Sequence, residues 1–240
     1  MNQTLRRILF PLLVIVAIAA TCAIAAAAAE PKKQPSKDTA KKPSKIPKIE
    51  ITLDTSDSPE MADWAAKAKR LCEKNYPMIL KHLGDKGFEP PSRTTIVFKK
   101  KRGVAETSGG VITCSTDYFT KHPDDFGAVI HELCHVVQSY KSEQPPGWVT
   151  EGIADYVRWF NFEPEDRRPR IHDIDRANYT DSYQTTAAFF NWIEKKKTSH
   201  FVQKLNAACR KGKYSPELFK EYAGKPLDDL WKEFAKSQKK

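Results

Sequence analysis

The chain has 240 residues, 40% hydrophobic and 29% charged, with a formal net charge of +10 and five cysteines. Most of the excess charge sits in Arg6, Arg7 and the seven lysines of residues 30–48; in residues 49–240, 31 bases face 28 acids. That balance excludes a fold built as a broad basic surface for nucleic acid, and cysteines this sparse exclude a disulfide-dominated scaffold.

Met1 to Arg7 carries two arginines and no acid, and Ile8 to Ala29 follows without a charge and ends in alanines. This is the pattern of a signal peptide, and its alternative is an uncleaved membrane anchor of similar length. The expectation is a secreted or periplasmic protein; the alternative is a membrane-anchored one with its domain outside the cytoplasm. Residues 30–48, rich in lysine and proline and poor in anything buriable, read as a disordered linker. Its lysines could make weak contact with an anionic membrane or cell wall. Residues 49–240 suffice for one domain with a real core, expected to be a monomer. Cys72, Cys114, Cys134 and Cys209 match no metal knuckle, and either one or two bridges or buried free thiols would suit them.

Ile49 to Leu53 alternates as a short strand does. Ser58-Pro59-Glu60 then offers a cap for a helix bearing Trp64, Ala65, Ala68, Leu71 and Cys72 on one side. Pro77 should kink or divide that helix, with Gly84 as its stop. Thr94 to Phe98 is a β-branched strand; the bases at 99–102 and the pair Gly109-Gly110 interrupt it, and Val111 to Ser115 resumes strand character. Pro123-Asp124-Asp125 opens a helix predicted to run to about Tyr140, apolar at Phe126, Val129, Ile130, Leu133, Val136 and Val137, hence central. Trp148 to Phe160 is another apolar helix. Helices are predicted near residues 182–196, 200–210, 215–222 and 226–236, the last with Leu227, Leu230, Trp231 and Phe234 on its packing face. Strands first and helices after argue for an α+β domain: a small mixed sheet followed by a mainly helical C-terminal part.

His131-Glu132-Leu133-Cys134-His135 lies inside the central helix. Residues four apart share a face, so both imidazoles can reach one metal ion, with Glu132 beside them. Zinc suits two neutral nitrogens and a carboxylate oxygen, with the fourth position left to water; Glu132 could take that water's proton as general base. An unpaired Glu132 between Ile130 and Leu133 would otherwise be costly to bury. A third ligand from a glycine at 138 and a histidine at 141 is excluded, because those positions are Gln138 and Lys141. Glu151, on the helix started by Pro145-Pro146-Gly147, is the candidate. Asp155, one turn on, is placed to accept the outer N–H of a ligand imidazole.

Trp148 to Tyr156, following His-Glu-x-x-His, resembles the gluzincin pattern, in which the glutamate binds zinc and the acid four residues on supports a histidine. More closely, Gly103 to Gly110, Glu151 to Arg158, Tyr183 to Phe190 and Gly224 to Trp231 resemble the basic secretory protein family of plant and bacterial zinc peptidases. The likeness covers roughly residues 49–236 and implies a secreted, zincin-like metallopeptidase domain acting on a peptide or protein substrate. It also implies an edge strand near residues 103–115 able to pair with peptide backbone. Tyr183, at the start of the helix after the site, is the leading candidate to stabilise a developing oxyanion, with Tyr179, His172 and His200 as competitors. The rival function is a peptide- or glycan-binding module with a structural metal and no turnover.

Overall fold

Period-two alternation and β-branched side chains produce the sheet that opens the fold. In the computed structural model, which describes residues 47–141 and 145–239, strands β1 (Glu50–Asp54), β2 (Arg93–Lys99), β3 (Ala105–Ser108) and β4 (Val111–Ser115) form one sheet in the order β1-β2-β4-β3. The expected leader and nearly all of the lysine- and proline-rich stretch lie outside the described residues. β1 and β4 both run parallel to β2, whereas β3 turns back antiparallel on β4, with Thr107 opposite Ile112. The reversal is made at Gly109 and Gly110, whose φ of 56° and 77° lie in the left-handed region that glycine occupies without strain. β3 is therefore an edge strand, as the resemblance implied.

The parallel β1–β2 pair needs a crossover, supplied by helix α1 (Ala62–Leu83). α1 runs through Pro77 undivided, because Ala65, Ala68, Cys72, Tyr76, Ile79 and Leu83 bury one continuous face on both sides of the proline. Ser58 does not cap it: the hydroxyl is committed instead to Thr116 Oγ1 at 2.6 Å. A short helix α2 (Thr116–Lys121), capped by Ser115, was not anticipated from its mixed pattern. The central helix α3 (Gly127–Gln138) is shorter than its apolar run, starting after Asp125 accepts from the Ala128 amide at 3.2 Å. It ends at Ser139, whose φ of 48° is left-handed. Eleven of its twelve residues are buried, so it is a core helix rather than a surface stripe.

Helix α4 (Gly147–Val157) continues into a single π-helical turn at Arg158–Phe162. Helices α5 (Tyr183–Lys196), α6 (Phe201–Arg210), α7 (Glu217–Ala223) and α8 (Leu227–Gln238) complete the helical part. Phe189, Phe190, Phe201, Phe219, Leu230 and Phe234 form its core, each large buried side chain stabilising by about 1.5–3 kcal/mol. Two devices hold the central helices. Gly152 lets α4 approach α5 so closely that an added Cβ would meet Thr186 Cγ2 at 2.2 Å. Arg210, from α6, donates to the carbonyls of Val137 and Gln138 at the end of α3 and to Leu83 at the end of α1, satisfying carbonyls that a helix terminus leaves unpaired. The four cysteines among the described residues are free and buried. No described helix is long and apolar enough to cross a membrane.

Candidate metal centre

Side chains four apart on an α-helix lie one above the other, and on α3 this brings the His131 and His135 rings to 4.8 Å between centroids. Their Nε2 atoms are 3.1 Å apart. Glu151 reaches across from α4, its Oε2 3.1 Å from His131 Nε2 and 3.4 Å from His135 Nε2. It sits just past the first turn of α4. The three ligand atoms all lie within 4.8 Å of one another.

Both outer ring nitrogens are engaged. His131 Nδ1 pairs with Asp155 Oδ1 at 2.7 Å, and His135 Nδ1 with Gln138 Oε1 at 2.6 Å. The Gln138 amide is oriented in turn, because its Nε2 donates to the Thr150 carbonyl at 2.8 Å. Each acceptor fixes the proton of a neutral imidazole on Nδ1 and leaves Nε2 a bare lone pair. With both imidazoles neutral, two lone pairs and a carboxylate oxygen converge, an arrangement that either a metal ion or a proton on a ring nitrogen would complete. The residues present fit a divalent metal ion.

The electrostatics agree. Burial opposes charge on His131, yet the hydrogen bonds to Asp155 and Glu151 outweigh it and lift its pKa to about 9. Burial also opposes charge on Glu151, but bonds to His131 and His135 bring its carboxyl down to about 2. In the absence of metal a proton takes the place of positive charge.

Glu132 is 7% exposed, and its carboxylate does not join the triad. Thr107, on β3, donates to it instead, with Oγ1 2.7 Å from Glu132 Oε2 and 3.0 Å from the Glu132 carbonyl oxygen. The triad and Glu132 line a cleft of about 1410 Å³, bounded on one side by Val104 to Ser108 and on the other by Thr150, Glu151, Ser182 and Tyr183. Of the four candidates for oxyanion stabilisation, Tyr183 alone lines this cleft; it is 53% exposed, with its ring 6.3 Å from that of His131. The negative charge of Glu151, with some burial, raises its phenol above the ordinary value. Tyr179 instead bonds Asp228 and packs on Trp148.

Two residues at this centre escaped the reading of the sequence. Gln138 had a signal, since it lies three residues beyond His135 and shares its helical face. Thr107 had none, because its partner lies 25 residues away.

A mixed sheet ending in an edge strand, a buried helix carrying two histidines and a carboxylate from the next helix define an α+β, zincin-like domain with a candidate His/His/Glu metal cluster. Residues 49–234 match the family BSP, described as a peptidase of plants and bacteria, and the chain belongs to that family. This is the basic secretory protein family, whose secretory character agrees with the export expected from the N-terminus. No curated protein and no solved structure matches the chain.

Proposed function

We propose that the protein is an exported zinc-dependent endopeptidase, with His131, His135 and Glu151 as ligands. The observation that carries the reading is the convergence of two imidazole nitrogens and a carboxylate oxygen within 4.8 Å of one another. Tetrahedral zinc sets nitrogen and oxygen ligands at about 2.0–2.1 Å, hence about 3.3–3.4 Å from one another; the separations here are 3.1, 3.1 and 3.4 Å. Zinc bound there would supply Lewis acidity, polarising a carbonyl and lowering the pKa of water.

The chain's own residues do the rest. Glu132, held by Thr107, takes the proton of the attacking water and returns it to the leaving amine. Asp155 fixes the orientation of His131 and raises its basicity as a ligand. Tyr183 turns its phenol toward the oxygen on which negative charge develops. The free edge of β3 aligns an extended peptide by backbone pairing. In this reading residues 1–29 are the leader, 30–48 a tether and 49–240 the enzyme, acting as a monomer.

A closed structural metal site would have a fourth protein ligand, whereas the cluster stops at three among the described residues. Replacing Glu132 with glutamine tests the choice. Turnover of denatured proteins and mixed peptides should vanish, with zinc content and melting temperature retained. Holo-protein that cleaves nothing across a broad peptide library would return the site to the binding-module reading.

A further inference from the structure

We propose that the basic segment Lys99–Arg102, just beyond the Val104 end of the cleft, is a subsite for acidic segments of an extended polypeptide. The proposal rests on the reading above only in taking β3 as the strand with which substrate pairs.

Lys99, Lys100 and Arg102 are exposed, and none of the three forms an ion pair among the described residues, although Lys99 lies near enough to Asp54 to favour its charged form; Lys101 between them pairs with Glu106 at 2.7 Å. The segment is anchored to the sheet. Buried Ser115, the last residue of β4, donates through Oγ to the Lys101 carbonyl at 2.7 Å and through its amide to the Val104 carbonyl at 2.9 Å. The backbone of the segment is therefore held before any ligand arrives, which reduces the ordering cost of binding.

Val104 follows directly. It and Tyr183 are the two exposed large hydrophobic residues among those described, and both line the cleft. Val104 lies three residues before Thr107, about 10 Å along an extended strand. A peptide paired with β3 would thus pass its scissile region over Glu132, lay a side chain on Val104 and continue past the basic segment.

Acids also line the cleft; Glu132, Glu151 and Asp155 belong to the metal centre, and the others lie beside bases, Glu106 with Lys101 among them. Asp125 pairs with Arg158 at 2.7 Å, and Asp124 and Glu163 lie 3.6 and 3.7 Å from Arg167. At the Val104 end the charge without an ion-pair partner among the described residues is positive, so the complementary ligand there is negative. The free strand edge favours a polypeptide over other polyanions, since only a polypeptide backbone can extend the sheet. The chain's own lysine-rich residues 30–48 carry the wrong sign to occupy it.

The test uses two fluorescent peptides of equal length and identical apolar centre, one flanked by glutamates and one by glutamines. Their binding to zinc-loaded full-length Glu132→Gln protein is followed by anisotropy, and their cleavage by wild type is compared. The acidic peptide should bind about tenfold more tightly at low ionic strength, and the advantage should largely disappear in 1 M salt. Combining Lys99→Glu, Lys100→Glu and Arg102→Glu should reverse the preference without changing cleavage of the neutral peptide. The corresponding triple glutamine variant should merely abolish it, with zinc content reporting the fold of both. Equal affinity for the two peptides, with the neutral one cleaved, overturns this inference alone. Failure to bind or cleave either peptide overturns the peptidase reading with it. Competition by a polyuronate as strong as that by the acidic peptide would reassign the segment to polyanions in general. Loss of peptide binding on dimerisation would assign the edge to a second copy.

Discussion

The two flanks of α3 contribute different chemistry to one centre. From the α4 flank come Glu151, Asp155 and the Thr150 carbonyl that orients Gln138, so this side governs the metal triad and its supports. From the sheet flank comes one contact, the Thr107 hydroxyl on Glu132. If the proposed function holds, the contrast implies that holding a metal and positioning Glu132 as base are separable. A helix packed into the core offers the rigidity that ligand geometry needs. In the proposed function an edge strand offers what a base beside substrate would need, because the element that holds Glu132 is also the one proposed to meet the peptide.

The sharpest way to break this division is on the α4 side. Glu151→Gln should lose most of the zinc and, with it, the activity, as measured by competition with a chromogenic chelator. Near-normal affinity in that variant, with Asp155→Asn emptying the site, would exchange the roles of the two carboxylates.

On the sheet side, Thr107→Val keeps the shape and removes the donor. It should leave zinc content unchanged and lower kcat about 10–100-fold with little change in KM, because the base is displaced and the ligands are not. Thr107→Ser should restore most of the rate. Zinc loss in the valine variant would show that the flanks are not independent.

The two imidazole supports sharpen the comparison within the α4 side. Asp155→Asn should weaken zinc about 10–100-fold. Gln138→Leu removes a neutral partner and should cost only about fivefold. Equal losses would mean that the charge on Asp155 contributes nothing beyond its geometry.

The smallest effect is one of pH on the metal-free protein. His131 is raised from 6.5 to about 9, so its contribution to stability is complete below pH 6.5 and is lost as pH rises through about 9. Glu151 is lowered from 4.5 to about 2, so its contribution is present above pH 4.5 and lost as pH falls through about 2. Melting temperature without metal should therefore be highest between pH 4.5 and 6.5 as far as this pair decides it. Zinc must displace the His131 proton, so zinc affinity should climb with pH toward 9 while metal-free stability falls. Parallel trends in the two measurements would contradict the shared site.

By itself the sequence determined the parts whose geometry is local. The four-residue spacing of His131 and His135 puts them on one face of any helix, and the spacing of Glu151 and Asp155 does the same on the next. The apolar surroundings of both pairs made it clear that these faces turn inward. The order of strands before helices was enough for the α+β class. Tertiary structure alone decided how α3 and α4 meet, and hence that Glu151 closes the triad while Asp155 takes the outer nitrogen of His131 and Gln138 that of His135. It decided that Ser58 serves Thr116 rather than a helix end, and that Thr107 reaches Glu132. The physical reason is the range of the interactions: periodicity encodes which residues share a face, but a hydrogen bond between elements depends on their packing distance. That distance is set by contacts such as Gly152 against Thr186 and Arg210 against the ends of α1 and α3.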